Sequence, residues 1–501
     1  MVTLCSGCVA SVAGCKFVYN IWGLGKRGFI PFYLSPFYLI NVCLWVWNGQ
    51  FWKGMVIKMN YQEAVEYIEE IRKKLASDYS MERVMKLAEL MGHPEKKLRV
   101  VHIAGTNGKG SVGAYISNAL AMSGYSVGRF ASPALFDPRE QIQRISGNHF
   151  GTDVEWISEE EVARCVTELV VSVNKMEAAG LDCPTAFEIE TVMAYCQMVR
   201  WHVDVAVIEV GMGGRNDATN IIEKPALTVF TKISRDHTAF LGDTIEEIAY
   251  QKFGIIKAGC PVVSVRQDNT VMEMLKEICQ HRGLKLRVAE PEQIRQKDFS
   301  LEKTLFRYQG YPLEIRQLGY YQPENAVIAF EALKLMAQTG FHKINISSVQ
   351  TAFRETKWTG RFELISKDPF LILDGAHNPD GAVALKKSLE IYFPAQRFRY
   401  IFGVFRDKDY QKILDEMLPL ATSVYTVQAA GERGMDPGEL AEIVEKKCRK
   451  YDREIPVESC QTVAQALQKI EKDGHNTKTI IFGSLSFLHE VYRFFDTSRY
   501  I

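Results

Sequence analysis

The segment AGTNGKGS at Ala104–Ser111 has the residue types of a loop that binds phosphate. Its glycines let backbone N–H groups crowd around an anion, and the positive end of a following helix dipole adds to that attraction. These glycines are Gly105, Gly108 and Gly110. Lys109 supplies a positive charge for β- and γ-phosphates, and a hydroxyl at Thr106 or Ser111 can meet phosphate or Mg²⁺.

This loop departs from the strict GxxxxGK[ST] pattern, because Gly110 is inserted between Lys109 and Ser111 and position 103 is Ile. A glycine-rich turn without a ligand is the alternative interpretation. The run LRVVHIA at 98–104 predicts a buried strand before the loop, and we expect a helix to open at Ser111. That context favours phosphate binding, but it does not separate kinases, GTPases, ATPases and ligases.

Two further polar groups follow hydrophobic runs in the same part of the chain. Glu209 is the last but one residue of the run VDVAVIEV and lies just before a glycine-rich turn, so it would suit Mg²⁺ or could cap that turn. Asp236 and His237 follow another predicted strand, where a histidine is either a ligand or structural. Lys252 lies among apolar helical positions, where a lysine either snorkels or has an unusual role.

A second polar cluster lies in FLILDGAHNPDG at 370–381, where Asp374, His377 and Asn378 follow a strand-like run. It belongs where a second ligand-facing loop is expected, although an Asx turn with a helix cap would explain it as well. Asn325 could read an adenine edge or cap a helix. Arg361 could reach phosphates from the second domain.

Alternation of strand-like and helical patterns predicts an α/β fold. A first series, with strand-like runs at 98–104, 203–210, 226–232 and 261–265, predicts a parallel sheet that carries the phosphate loop. A second series after residue 360 predicts a smaller Rossmann-like domain. We expect a transitional region at 300–360 with two short strands and two helices, and domains at 59–356 and 357–501.

Composition narrows the possible functions. The chain has 501 residues, 60 Lys and Arg, and 60 Asp and Glu. A net charge of zero argues against a general nucleic-acid-binding protein, which needs a basic surplus. Seven scattered cysteines after residue 58 suit reduced thiols, so we expect a cytoplasmic protein, and a monomer as the default.

Residues 1–58 differ from the rest, since they contain no Asp or Glu and hold four of the seven Trp. The apolar run 29–52 is long enough to span a bilayer, but Pro31 and Pro36 make it a poor helix. Cys5 and Cys8 form one CxxC, which is a weak zinc signal. We favour a translation start at Met55 or Met59 and expect no membrane association unless this leader is real.

The order of the motifs resembles the folylpolyglutamate synthase / dihydrofolate synthase family of the Mur-ligase superfamily. The likeness runs from about residue 60 to 495 and is carried by GTNGKGS, Ser132–Pro133, EVGMGGRNDATN, DHTAFLGDT, KFGIIKAG, GRFE and DGAHNP. Seven motifs in order are far more specific than one. The resemblance implies an ATP-dependent ligase that joins a folate or dihydropteroate carboxylate to L-glutamate through an acyl phosphate, with ATP and Mg²⁺.

The resemblance also implies residue roles, with Lys109, Lys252 and His377 as catalytic groups. The phosphates would be cradled by Gly105, Thr106, Asn107, Gly108, Lys109, Gly110 and Ser111, and the nucleotide touched by Asn325, Arg361 and Asp374. Mg²⁺ would be held by Ser132, Glu209 and His237, and the substrates contacted by Ser132, Pro133, Arg144, His377 and Ser484. Lys252 would be carbamylated, and 131–145 would be the loop that contacts the pterin-bearing substrate.

The chain departs from the family pattern at 131–134, 251–254 and 359–361, and none of these departures removes a metal or phosphate ligand. The first, where Ala131 and Ala134 flank Ser132–Pro133, falls on the substrate loop, so it bears on the folate species and not on the ligase chemistry. Two alternatives remain. One is a ligase of the same superfamily that adds an amino acid to a cell-wall precursor. The other is a nucleotide-dependent binding protein, which would have no need for a second ligand-facing domain.

Overall fold

The computed structural model describes residues 46, 47, 50, 51, 58–74, 80–148, 151–431, 433–451, 453–472 and 477–495. Residues 1–58 and 59–501 form two compact units. In the first, β1 (Val46–Trp47) and β2 (Gln50–Phe51) form a short antiparallel pair. The rest of the apolar run 29–52, with Cys5 and Cys8, lies outside the described residues. In the described part of the chain, no helix has the length and apolar composition needed to cross a membrane.

An eight-stranded sheet forms the centre of the unit 59–501, in the order β10-β9-β8-β3-β7-β4-β5-β6. Its strands are β3 (Val100–Ala104), β4 (Val127–Phe130), β5 (Ile142–Asn148), β6 (Gly151–Trp156), β7 (Val205–Glu209), β8 (Leu227–Phe230), β9 (Val262–Val265) and β10 (Leu286–Ala289). The central strands are buried on both faces, as parallel strands between helices must be. The parallel α/β prediction is confirmed, and β5 and β6 add an antiparallel edge that periodicity did not reveal.

Ten helices surround this sheet in the described part of the chain. They are α1 (Tyr61–Lys74), α2 (Met81–Leu90), α3 (Lys109–Met122), α4 (Glu159–Ala178), α5 (Ala186–Arg200), α6 (Thr238–Leu241), α7 (Ile245–Phe253), α8 (Asn269–His281), α9 (Gln322–Gln338) and α10 (Ile346–Glu355). Helix α3 packs against α9 and α10 and is buried from Ser111 to Ala121. Packing along most of its length therefore fixes the position of α3, the helix that follows the phosphate loop.

A three-stranded antiparallel sheet follows the first series, with β11 (Arg295–Phe299), β12 (Thr304–Tyr308) and β13 (Tyr311–Ile315). Its inward side chains, such as Phe306 and Leu313, join the same hydrophobic core as α3 and α9. The two short strands and two helices expected within 300–360 are present as β12, β13, α9 and α10.

A six-stranded sheet forms the C-terminal region, in the order β14-β15-β19-β16-β17-β18. The strands are β14 (Glu363–Lys367), β15 (Phe370–Leu373), β16 (Phe398–Phe402), β17 (Ala421–Thr426), β18 (Val457–Ser459) and β19 (Thr479–Phe482). The helices are α11 (Pro379–Tyr392), α12 (Tyr410–Met417), α13 (Pro437–Cys448), α14 (Val463–Lys472) and α15 (Leu488–Phe494). Separate cores on the two faces of this sheet fit the expected Rossmann-like arrangement.

Local boundaries differ from the sequence interpretation at three places that matter for the site. Helix α3 begins at Lys109, two residues before Ser111. The expected substrate loop is shorter than 131–145, because Pro138–Gln141 forms a 3₁₀ turn and β5 starts at Ile142. Lys252 lies in the last turn of α7 and is fully buried, so it does not snorkel to solvent.

Candidate active site between two sheet edges

The phosphate loop joins the end of β3 to α3 by a path that only glycine permits at two positions. Gly108 has φ +92°, and a Cβ there would lie 2.5 Å from Oδ1 of Asn325. A Cβ on Gly105 would overlap the hydroxyl of Thr231. The backbone is thus packed closely on its neighbours, as a loop whose N–H groups must approach a ligand requires.

Two lysines and one carboxylate meet at this loop. Lys109 Nζ donates to the carbonyl oxygens of Gly105 and Thr106 at 3.3 Å each, and lies 3.9 Å from Oε1 of Glu209. Lys252 Nζ, from α7, donates to the same Gly105 oxygen at 3.0 Å. The structure therefore brings together three of the predicted site residues from three separate motifs.

Burial shifts the pKa values of Lys252 and Glu209 in the directions that favour their neutral forms. Burial and the nearby Lys109 ammonium lower the pKa of Lys252 to about 7, against the opposing effect of Asp236. Burial raises the pKa of Glu209 from its ordinary value, while the cations Lys109, Arg361 and Arg129 oppose that rise. An additional cation at this edge would favour the charged form of Glu209.

Asp217, which sequence reasoning passed over, organises the glycine-rich turn after Glu209. Its Oδ2 accepts from the Met212 N–H at 2.8 Å, and its Oδ1 accepts from the Thr219 N–H at 3.0 Å and the Thr219 hydroxyl at 2.5 Å. The turn is therefore capped by Asp217. Glu209 is left at the strand end, facing the phosphate loop.

Asp236 links the two sheet edges. Its Oδ1 accepts from Lys408 Nζ at 2.7 Å, and both side chains are buried. Its Oδ2 accepts from Asn378 at 3.1 Å and lies 3.6 Å from Nε2 of His377. Sequence analysis noted Asp236 but missed Lys408, because pairs so far apart in the chain leave no local signal.

His237 follows Asp236 and starts the short helix α6. Burial, with the cations Lys408 and Lys109, lowers the pKa of His237 to about 4 against the effect of Asp236. Its imidazole is therefore neutral near pH 7, which is the form that binds metal ions.

The loop after β15 meets the phosphate loop directly. Asn378 caps α11 by accepting from Gly381 N–H at 2.8 Å, and its amide donates to Asn107 Oδ1 at 3.2 Å. Asn107 in turn donates to Asp380 at 3.2 Å. His377 Nδ1 lies 2.7 Å from the Gly375 carbonyl, so Nδ1 carries the proton. The helix-cap interpretation of this cluster is correct for Asn378, and the cap also bridges the two edges.

Asp374 differs from the other predicted residues because groups of the protein itself donate hydrogen bonds to both of its carboxylate oxygens. Oδ2 accepts from the Tyr321 hydroxyl at 2.7 Å and the Phe362 N–H at 2.8 Å, and Oδ1 accepts from the Ala376 N–H at 2.8 Å. It is almost fully buried. Asp374 thus fixes the connection between the two sheets.

Four predicted residues lie at the margin of this cluster. Asn325 donates to Gln322 at 3.1 Å beneath the phosphate loop, Arg361 donates to the Gly360 carbonyl at 3.0 Å, and Ser484 Oγ lies 2.8 Å from Ser486 Oγ. Ser132 is half-buried, two residues after β4.

Arg144 and Pro133 are placed differently. Arg144 lies within β5, where it pairs with Gly128, two residues before the end of β4. The structure therefore does not gather Arg144 with the groups at the sheet edge. Pro133 is exposed in the loop after β4.

Comparison with known proteins places this geometry in a family. Residues 154–333 match the Mur ligase middle domain, and 360–485 match the Mur ligase glutamate ligase domain. The dihydrofolate synthase/folylpolyglutamate synthase of Bacillus subtilis is 30% identical over 442 residues, covering 86% of this chain and 98% of that protein. The chain belongs to the folylpolyglutamate synthase / dihydrofolate synthase family of the Mur ligase superfamily.

A second relative and a solved structure support the same family. The folylpolyglutamate synthase of Lacticaseibacillus casei is 33% identical over 387 residues, 74% of this chain and 86% of that protein. The solved structure of a folylpolyglutamate synthase–AMPPCP–folate complex matches with a TM-score of 0.74 at 29% identity, covering 87% of this chain and 99% of that chain. The recognition of the family from its seven motifs is confirmed, and neither alternative function is favoured.

Folylpolyglutamate synthases use ATP, and Mg²⁺ is standard for them. Among the described residues no cluster of three or more His, Cys, Asp or Glu side chains is placed to hold a metal. Mg²⁺ needs no such cluster, because it keeps several waters and binds one or two carboxylates with substrate phosphates. Glu209, 3.9 Å from the phosphate-loop lysine, fits that pattern.

Proposed function

We propose that this chain is an ATP-dependent ligase that forms an amide between a folate or dihydropteroate carboxylate and L-glutamate. One observation carries the proposal. Lys109, Lys252 and Glu209 converge at the phosphate loop, and that loop is hydrogen-bonded through Asn107 to the edge of the C-terminal sheet. Such a site can hold a nucleotide on one side and two substrates between the domains.

The reaction needs activation, because a carboxylate does not react with an amine at neutral pH. A carboxylate oxygen attacks the γ-phosphorus, ADP leaves, and the acyl phosphate forms. The neutral amine nitrogen of glutamate then attacks the acyl carbon, phosphate leaves, and the nitrogen loses one proton and keeps the other as the amide N–H. Lys109 and the N–H groups from Gly105 to Ser111 would offset the charge of the assembled anions. Lys109 would first leave the loop carbonyls that it now contacts.

Ser132, Glu209 and neutral His237 would hold the metal. A bound Mg²⁺ would supply charge neutralisation for the phosphates. Asn325 and Arg361 would lie along the nucleotide, and Asp374 would hold that side in place through the hydrogen bonds that it accepts.

Lys252 is proposed to react with CO₂. The ammonium first loses a proton; the neutral amine nitrogen then attacks the carbon, an N–C bond forms as one C=O electron pair moves to oxygen, and a second proton leaves to give the carbamate anion. The pKa of about 7 leaves a substantial neutral fraction for this step. Lys252→Ala should abolish turnover, and intact-protein mass spectrometry in bicarbonate should show a labile gain of one CO₂ on the wild type alone. Wild-type turnover by the variant would contradict the assignment.

His377 and Ser484 are proposed to lie beside the incoming glutamate, on the C-terminal edge. Ser132 and Pro133 would contact the acid substrate, with Arg144 further along β5. The domains would be 59–356 and 357–501, with closure between them excluding water from the acyl phosphate. We also propose a cytoplasmic location, which the seven free cysteines of the described residues support, and a monomer as the default state.

A product assay by mass tests the proposal. Dihydropteroate and tetrahydrofolate are offered separately with ATP, Mg²⁺ and L-glutamate, and the expected product is the acid extended by one glutamate with one ADP released. Lys109→Met, which removes the charge at the phosphate loop, is the control and should give no product. ATP hydrolysis that ignores both acids and glutamate would contradict ligation.

A further inference from the structure

Glycine is required at position 110 because Trp358, a residue outside the proposed site, packs against it. A Cβ on Gly110 would lie 2.6 Å from Cζ2 and 2.8 Å from Nε1 of Trp358. Trp358 is half-buried and lies on the connection between α10 and β14. The indole thus occupies the space that a side chain at the start of α3 would need.

Arg129 lies behind this indole. Its guanidinium carbon is 4.8 Å from the centre of the Trp358 ring, and the residue is only 6% exposed although it carries a charge. Nε donates to Oε1 of Gln143 at 2.9 Å, and Nη2 donates to the same oxygen. A buried arginine needs such partners, and its flat face lets it stack and donate at the same time.

The contacts continue into the loop after β4. Gln143 Nε2 donates to the carbonyl of Glu140 at 2.8 Å. The Glu140 carboxylate accepts from the Phe136 N–H at 3.3 Å and from the Leu135 N–H. A continuous series of contacts therefore leads from the start of the phosphate-loop helix to the backbone of residues 131–141.

We propose that Arg129 is a positioning residue: it holds the 131–141 loop, through Gln143, in register with the Trp358 indole and the phosphate loop. The proposal rests on the proposed function, because only there is this loop assigned to the acid substrate. Arg129 acts through Gln143 and Glu140. Its planar fork, which donates twice while stacking, cannot be supplied by an apolar side chain.

Two variants break the same link from opposite ends. Arg129→Leu removes the stacked cation, whereas Gln143→Leu leaves that charge and the indole contact in place. Each should raise KM for the acid substrate about tenfold, the scale of losing a charge-assisted hydrogen bond, with KM for ATP changed less than about twofold. Hydrogen exchange in a peptide spanning 131–141 should become faster in both, before any substrate is added.

The matched control is Arg99→Leu. Arg99 also stacks on an aromatic ring, 3.9 Å above Phe341, but it precedes β3 and so lies at the opposite edge of the sheet from the phosphate loop. It should leave both KM values and the exchange of 131–141 unchanged. Thermal melting of all variants establishes that they are folded.

The double variant decides whether the two residues act as one unit. Arg129→Leu/Gln143→Leu should be no worse than either single change. Additive effects, or unaltered exchange in 131–141 with normal KM for the acid, would overturn the proposal. An effect of Arg129→Leu alone, with Gln143→Leu normal, would also overturn it in favour of the charge. If the wild type ligates neither acid, the proposed function fails instead, and the exchange data still report on the link.

Discussion

Two carboxylates end hydrophobic strands in the two sheets, and they are used in opposite ways. Glu209 ends β7 and Asp374 follows β15, each before a glycine-containing turn. Asp374 accepts three hydrogen bonds from the protein, at 2.7 to 2.8 Å. Glu209 is buried with the Lys109 ammonium 3.9 Å away, beyond hydrogen-bonding distance.

The difference shows that a position at the end of a strand does not by itself make a carboxylate available to a ligand. Position at the carboxyl edge of parallel strands places a side chain in the ligand crevice. Whether that side chain is available depends on how many of its lone pairs the protein already uses. Burial raises the pKa of Glu209, so its charge is costly until a cation arrives.

The largest effect is expected for Glu209→Gln. The change keeps the shape and removes the charge proposed to bind Mg²⁺, so kcat should fall about a hundredfold or more. Because the native charge is disfavoured by burial, the free energy of unfolding should stay the same or rise. Steady-state kinetics and urea unfolding measure the two quantities. Normal kcat with reduced stability would mean that Glu209 is structural, like Asp374.

Asp374→Asn is expected to lower stability and leave ATP binding nearly unchanged, with a smaller change in free energy than Glu209→Gln. The amide turns one acceptor into a donor that faces N–H or O–H groups, which should cost about 2–3 kcal/mol of stability. Urea unfolding measures the loss, and ATP binding to the folded fraction should change little. Intact stability with lost ATP binding would make Asp374 a ligand-binding group and remove the contrast with Glu209.

Much of this site could be predicted from local sequence, because glycine-rich turns, apolar strand runs and charged residues at strand ends are recognisable within a few residues. The phosphate loop and the strand preceding Glu209 lie where periodicity and motif predicted them. Pairings across the chain could not be predicted in this way. Asn107 and Asn378 are 271 residues apart, and Asp236 and Lys408 are 172 residues apart.

The misplaced elements have a related cause. The sequence interpretation places Arg144 in a loop, yet Arg144 belongs to β5, whose residues IQRISGN do not alternate strictly between polar and apolar. Lys252 could be seen as unusual in sequence. Its full burial follows from the packing of α7 against the core around Phe253 and Ile256.

Lys252 is a second group, like Glu209, whose charge is disfavoured by burial in the fold. Burial and Lys109 lower its pKa to about 7, whereas an unfolded lysine titrates near 10.4. Between these values the unfolded chain holds a proton that the folded chain has released. Stability must therefore rise with pH across this window, and below about pH 7 the group contributes no further change.

Counted per pH unit, the expected change in unfolding free energy is the smallest of the three effects. The unfolding free energy of the wild type relative to Lys252→Met should rise by up to about 1.4 kcal/mol per pH unit from pH 7 to 9. Urea unfolding in CO₂-free buffer measures it without carbamate formation. A difference that stays flat across this range would show that Lys252 keeps its ordinary charge. In that case the fold opposes the charge of Glu209 alone, and Lys252 joins Asp374 among the groups that the protein satisfies.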